Sequence, residues 1–403
     1  MISPVDIWNG IRTGIGPEIN PDSLRNWQQK KLEAAIDYAK NNTDYYRDLS
    51  GSGDLTDLPF TLPSDLAANP YAFLAIPQNE VARISTHSNS GTTGLRKRIF
   101  FSEGDLERTK AFFATGMSTM TVKGDNVRIL ISNPTEFSLG SLLKESLARI
   151  GVSAGISDEI KSAPDAIRDS TGAECLVGQP AELLYMSCIS PELRPGSVLL
   201  AGDIVPGTVA GRIRENWGCN VFTHYGHTEF GYGCAVDCSA HHGFHLRHAD
   251  FIFEIVSLKT MQPALPGESG EIVITSLSNE AMPLIRYRTG NISRLIDSPC
   301  SCGSNLPRLG AIEGRFNNMV QLSENKTLDI FRIDSVVFAD RSVRGMDAEY
   351  DTITKTLTLI IDSSDRFDKK MLKEVIPEEV SIKITYAKTD PFYKRGKRKI
   401  RVT

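Results

Sequence analysis

The run Ser85-Thr86-His87-Ser88-Asn89-Ser90-Gly91-Thr92-Thr93-Gly94-Leu95-Arg96-Lys97-Arg98 carries the densest chemistry in the chain. Gly91 and Gly94 admit tight turns and let an anion approach the backbone closely. Ser88, Ser90, Thr92 and Thr93 add hydroxyl donors, and backbone N–H groups exposed in such a turn form a nest for an anion. Lys97 and its arginine neighbours supply positive charge. Together these groups suit a polyphosphate that is held and then released as pyrophosphate. The spacing is not that of a Walker loop, G-x-x-x-x-G-K-[ST]. Ser, Thr and Gly also dominate ordinary linkers. The strand-like flanks at residues 81–84 and 99–101 favour a phosphate loop instead.

Outward from this loop the text alternates. Between residues 84 and 206, short apolar runs at 127–131 and 197–200 read as buried strands. Helix-like stretches at 139–150 and 180–188 lie between them, which is the rhythm of α/β units with largely parallel strands. Residues 221–223, 251–256 and 271–275 are β-rich with shorter connections and predict a second, more antiparallel subdomain. Upstream, Leu24, Trp27, Leu32, Ala35, Ile36 and Tyr38 recur mostly at three- and four-residue spacing, which predicts a helix within residues 23–48. Asn41 and Asn42 and the Ser/Gly cluster at 50–53 end it. After Gly314-Arg315-Phe316-Asn317-Asn318 the character changes. Residues 349–354 and 356–362 read as a hairpin, 367–375 as a helix and 380–387 as a strand. The expected fold class is therefore α/β. Residues 1–316 form a large N-terminal domain with mixed and parallel sheets and a β-rich subdomain, and residues 317–403 a small α+β C-terminal domain.

Composition narrows the function. At 403 residues, 40% hydrophobic and 23% charged, the chain has ordinary globular content, which excludes disordered and coiled-coil classes. Lys+Arg 45 against Asp+Glu 49 leaves a net charge of -4, the wrong sign for coating nucleic acid. No apolar run nears the roughly 18 residues of a membrane span, and the N-terminus lacks the pattern of a secretory signal. A cytoplasmic protein without nucleic-acid or membrane partners is expected. Of the 7 cysteines, Cys175, Cys188 and Cys219 read as ordinary buried thiols. Cys234 and Cys238 form a C-x3-C, and Cys300 and Cys302 a C-x-C; in a reducing compartment such pairs favour metal over a disulfide. Cys238, His245, Cys300 and Cys302 offer three thiolates and an imidazole, a set suited to tetrahedral, structural Zn²⁺. Cys234, His241 and His242 are competing ligands.

The phrase Ser90-Gly91-Thr92-Thr93-Gly94 with Lys97 resembles the phosphate loop of the adenylate-forming acyl-CoA synthetase superfamily. Three further phrases follow in that superfamily's order. They are Tyr225-Gly226-His227-Thr228-Glu229, then Gly270-Glu271-Ile272-Val273-Ile274-Thr275 leading to Met282-Pro283-Leu284-Ile285-Arg286-Tyr287-Arg288-Thr289-Gly290-Asn291, then Gly314-Arg315. The Arg286-to-Gly290 phrase and Cys300-Ser301-Cys302-Gly303 resemble the phenylacetate-CoA ligase-like branch, whose members share the Cys, His and Cys-x-Cys-Gly arrangement.

The resemblance implies an adenylation domain followed by a mobile small domain, and a two-step reaction. A carboxylate displaces pyrophosphate from ATP to give an acyl-adenylate, and a thiol, usually that of coenzyme A, then takes the acyl group. Positioning and charge neutralisation carry such chemistry. By the same resemblance, Ser90, Gly91, Thr92, Thr93, Gly94 and Lys97 cradle the phosphates. Tyr225 packs on adenine, which Gly202 and Asp203 also line. Thr228 binds the α-phosphate, and Glu229 holds Mg²⁺. His227 and Phe230 flank the acyl pocket, with Phe137, Ser138 and Gly140 as further candidates. Arg315 lies at the hinge. Lys397, with Lys399 as alternate, is the adenylation lysine, although charge runs are usually solvated. The expected partners are a small carboxylic acid, aromatic by preference, and coenzyme A or another acyl acceptor, with a second copy of the chain as a further candidate.

Departures from the pattern keep alternatives open. Asn291 stands where the family has a ribose-binding Asp, so one acceptor survives without its charge. Asn317 and Asn318 replace an acidic pair, and Arg96 stands where Pro is common. One alternative is an adenylating ligase that feeds an amine, hydroxyl or carrier-protein thiol. The other is a nucleotide-binding protein with eroded catalysis.

Overall fold

Proline in the first turn, behind a side chain that caps the free N–H groups, starts several helices. Ser3 caps Pro4–Thr13 and Asn20 caps Pro21–Asn42, each accepting from the backbone two residues on. Ser102 and Asp105 cap one another's backbone at the start of Glu103–Met117. In this computed structural model the residues described are 2–50, 54–88, 96–131, 138–157, 160–323, 326–394 and 397–403. They group into two units. The first comprises Met1–Thr119, Glu145–Ile150 and His224–Ile312; the second comprises Met120–Lys144, Gly151–Thr223 and Glu313–Thr403.

In the first unit, Arg83–Ser88 and Arg96–Phe101 pair antiparallel, with Arg83 opposite Phe101 and Ser88 opposite Arg96. The expected strand pair thus flanks the Ser/Thr/Gly loop, and the loop itself, residues 89–95, lies outside the described residues. Phe251–Val256, Gly270–Ser276 and Tyr287–Ser293 form an antiparallel meander. The short strands Ala235–Val236, Phe244–Leu246, Arg308–Leu309 and Leu295–Ile296 pair antiparallel in that order.

In the second unit, Ser153–Ile156, Asn126–Ile129, Cys175–Gly178 and Ser197–Leu200 lie side by side in parallel, and Asn220 to Thr223 continue the set. The connecting helices include Ala163–Ser170, Pro180–Ile189 and Gly207–Trp217. A four-stranded sheet runs in the order Ser381–Tyr386, Thr356–Ser363, Val343–Asp351, Arg401–Val402. One apolar core joins Leu176, Leu183 and Trp217 to Ile333, Leu359 and Phe392.

The architecture is α/β with mixed sheets, as expected. Three local readings differ. Residues 221–223, expected in the antiparallel subdomain, instead pair parallel with Ser197–Leu200, because they continue the buried α/β sheet. Residues 367–375 give only a 3-10 turn, Lys369–Glu374, which Asp368 caps and which ends just before Pro377. The turn of the C-terminal hairpin begins at Thr352 rather than after Thr354. Among the described residues, no helix is long and apolar enough to cross a membrane.

Candidate active site and metal centre

Strand Asn220–Tyr225 delivers the Tyr225-to-Glu229 phrase into a tight loop. Tyr232 N and Phe230 N both donate to His227 O, and Cys234 N donates to Tyr225 O at 3.0 Å. The loop closes so tightly that a Cβ on Gly226 would lie 1.7 Å from Tyr232 O, so only glycine fits. This closure turns the Glu229 side chain inward, where it is 4% exposed.

Three groups meet that carboxylate. Lys97 Nζ donates to Oε1 at 2.6 Å, and the Tyr287 hydroxyl donates to the same oxygen at 2.7 Å. His227 Nδ1 lies 2.5 Å from Oε2. Burial by itself pushes the Glu229 carboxyl up, but His227 and Lys97 outweigh it and hold the group well below the usual carboxylate range. Burial, and then the Glu229 charge, push Tyr287 well above an ordinary phenol. Glu229 is therefore a carboxylate and Tyr287 a neutral donor at neutral pH.

Strand Tyr287–Ser293 buries alternate residues, so Tyr287, Thr289, Asn291 and Ser293 share one face. Tyr287 meets Glu229, while Asn291 Nδ2 donates to the Tyr225 hydroxyl at 3.0 Å. One strand face thus touches both ends of the Tyr225-to-Glu229 phrase. Arg288 points the other way, and its Nε donates to Glu271 at 2.7 Å. Tyr287 escaped the sequence reading as a site residue, although its phrase had been singled out. Thr228 opens the single turn Thr228–Phe230. Ser90, Gly91, Thr92, Thr93, Gly94 and Phe137 lie outside the described residues.

A second cluster lies in the same unit. The ligand atoms of Cys238, His245, Cys300 and Cys302 all fall within 4.8 Å of one another, and all four residues are buried. Cys238 Sγ and Cys300 Sγ are 3.8 Å apart, and Cys302 Sγ is 3.6 Å from His245 Nε2. Zinc bonds of about 2.3 Å to sulfur and about 2.0–2.1 Å to nitrogen, arranged tetrahedrally, place such atoms about 3.8 Å and about 3.6 Å apart. The residues therefore fit Zn²⁺. Gly303, at φ +96, turns the chain after the Cys-x-Cys. Arg308 binds the carbonyl oxygens of His242 and Ser298, tying the two ligand-bearing segments together. Of the competing ligands, His241 pairs with Asp237 at 2.8 Å, and burial pushes the Cys234 thiol up to about 12. Neither they nor His242 join the cluster.

The remaining candidates lie in the second unit. Gly202, at φ 91, and Asp203 follow strand Ser197–Leu200. Asp203 Oδ2 accepts from Arg398 N at 2.6 Å and Oδ1 from Ile204 N at 2.9 Å. Burial raises the Asp203 carboxyl, against the pull of these N–H groups and of Arg315 and Lys397. Lys397 and Lys399 are exposed. Arg398 between them is anchored, with its guanidinium 2.6 Å from Asp334 Oδ1.

Comparison with solved structures places this fold. 2-Hydroxyisobutyryl-CoA ligase, in the postadenylation state with 2-HIB-AMP, aligns with a TM-score of 0.79 at 17% identity, over 96% of this chain and 90% of that one. The anthranilate CoA ligase AuaEII with anthranoyl-AMP aligns with a TM-score of 0.54 at 11% identity, over 78% and 64%. The chain has the fold of the adenylate-forming ligases. Among curated proteins, the phenylacetate-coenzyme A ligase of Thermus thermophilus is 26% identical over 392 residues, covering 89% of this chain and 86% of the relative. That of Pseudomonas putida is 28% identical over 325 residues, covering 74% and 72%. No family model matches. In sequence the chain is thus similar to phenylacetate-CoA ligases, and in fold to adenylate-forming CoA ligases.

Proposed function

We propose that this protein activates a carboxylic acid, aromatic by preference, with ATP and passes the acyl group to coenzyme A. In the first step a carboxylate oxygen bonds the α-phosphorus and pyrophosphate leaves. In the second, the coenzyme A thiolate bonds the acyl carbon and AMP leaves. The observation that carries this reading is the contact of Lys97 with Glu229 at 2.6 Å. It sets a cation for phosphate beside an anion for Mg²⁺ in one buried place, as in-line displacement at phosphorus requires. On substrate arrival Lys97 exchanges Glu229 for phosphate oxygens, and Glu229 is freed to hold Mg²⁺. Tyr287 and His227 keep the carboxylate aimed throughout.

The other roles follow the superfamily pattern. Ser90, Thr92 and Thr93 bind the β- and γ-phosphates, and Thr228 binds the α-phosphate. Tyr225, Gly202 and Asp203 line the adenine, and Asn291 accepts from the ribose. Arg315 is the hinge of the small domain, residues 317–403, which carries Lys397 for adenylation. Cys238, His245, Cys300 and Cys302 hold a structural Zn²⁺, with no position left for substrate. Cysteines placed to bind a metal rather than to form disulfides suit a reducing cytoplasm. The test is incubation with ATP, Mg²⁺, coenzyme A and a panel of aromatic and aliphatic acids, read by mass spectrometry. Acyl-CoA and AMP in equal amounts are expected. ADP in place of AMP, or AMP with no thioester from any acid, overturns the reading.

A further inference from the structure

We propose that Asp6 is a positioning residue of the metal centre, and that the N-terminal helix Pro4–Thr13 docks as part of that centre. This rests on the zinc reading above. His245 points Nε2 at Cys302, and its other nitrogen, Nδ1, lies 2.7 Å from Asp6 Oδ2. A neutral imidazole has one N–H and one lone pair. A carboxylate at Nδ1 holds the proton there, leaves the Nε2 lone pair for the metal and fixes the ring plane. Asp6 is itself only 3% exposed, and among the described residues its Oδ1 takes no hydrogen bond. The bond to His245 is what compensates its burial.

The helix supplies an independent observation. Ser3, Asp6 and Asn9 recur every third residue, so they share one face, and they are 1%, 3% and 0% exposed. A helix does not bury its polar stripe without partners. Ser3 Oγ caps the helix, accepting from Val5 N at 3.3 Å, while Asp6 and Asn9 find partners on a metal-bearing segment. Asp6 holds His245. Asn9 donates to Leu246 O at 2.8 Å and accepts from Ala249 N at 3.0 Å, at and just beyond the end of the strand that carries His245. Metal binding and helix docking therefore stabilise the same arrangement and are thermodynamically linked.

The test uses the full-length protein as purified. Zinc affinity is measured by competition with a chromophoric chelator for wild type, Asp6→Asn and Asp6→Ala. Hydrogen exchange of residues 2–13 is followed before and after zinc removal. Asp6→Ala should bind zinc about 10- to 100-fold more weakly, with Asp6→Asn, which keeps the shape, in between. Zinc removal should lower protection across residues 2–13 while leaving strand Thr356–Ser363 unchanged. Wild-type affinity in folded Asp6→Ala, or in Asp6→Asn where the alanine variant does not fold, overturns the proposal and leaves the zinc reading standing. Helix protection indifferent to zinc overturns it likewise. A wild-type protein without stoichiometric zinc overturns both.

Discussion

Replacing Lys97 with methionine leaves the Glu229 carboxylate buried without its ammonium partner. The two side chains are 16% and 4% exposed, so the pair is only weakly screened by water. Removing one partner of a buried pair costs about 3–5 kcal/mol when nothing else compensates. Here the Tyr287 hydroxyl at 2.7 Å and His227 at 2.5 Å remain, which brings the expected loss to about 2–3 kcal/mol. Glu229→Gln instead leaves the Lys97 ammonium, which still reaches solvent, and should cost about 1–2 kcal/mol. In the double variant the unpaired charge is gone, so its loss should fall short of the sum by about 1.5 kcal/mol. Urea unfolding followed by circular dichroism on the four proteins gives that coupling. Losses that add within about 0.5 kcal/mol refute the reasoning, because they would mean the charges do not interact. Each single variant should also lose adenylation by about 10²-fold or more.

The pair also sets the acid response. Glu229 is held below its ordinary value of 4.5, so its contribution is complete above that pH and is lost as pH falls through the lower folded value. Wild type should therefore lose stability below pH 4.5 more steeply than Glu229→Gln, and parallel profiles would contradict this. Asn291→Asp supplies a charged acceptor and should lower the KM for ATP about 3- to 10-fold by steady-state kinetics; a raised KM counts against the ribose role. Lys397→Ala should depress adenylation but spare thioester formation from supplied acyl-adenylate, and equal loss of both steps removes the assignment. Arg398→Met strands the buried Asp334 carboxylate and should cost about 3 kcal/mol in urea unfolding; a loss under about 1 kcal/mol would show that the anchor is dispensable.

Local pattern was legible where it coincided with burial. Residues 251–256 and 197–200 read as strands because each is a compact β-branched or apolar run, and the structure gives them those bounds. The Cys/His cluster was legible because Cys238 with His245 close behind it, and a later Cys-x-Cys, form a ligand pattern within two short segments. Asp6 was not, since it lies 239 residues from His245 and carries no local signature. The basic stretch around Arg398 reads as a solvated tail on charge counting, yet Asp334, 64 residues away, holds it. Strand direction was equally hidden. Residues 380–387 alternate like any strand, and only the sheet shows that Ser381–Tyr386 pairs parallel to Thr356–Ser363. Tyr287 was in view, but only its distance to Glu229 separates it from an ordinary core tyrosine.

In the proposed reaction a carboxylic acid is joined to the α-phosphate of ATP. Exchange of labelled pyrophosphate into ATP, measured with and without a panel of carboxylic acids, tests it most directly. Exchange should need both Mg²⁺ and an acid and should disappear in Lys97→Met. Exchange absent with every acid, in protein shown to bind ATP, would contradict it.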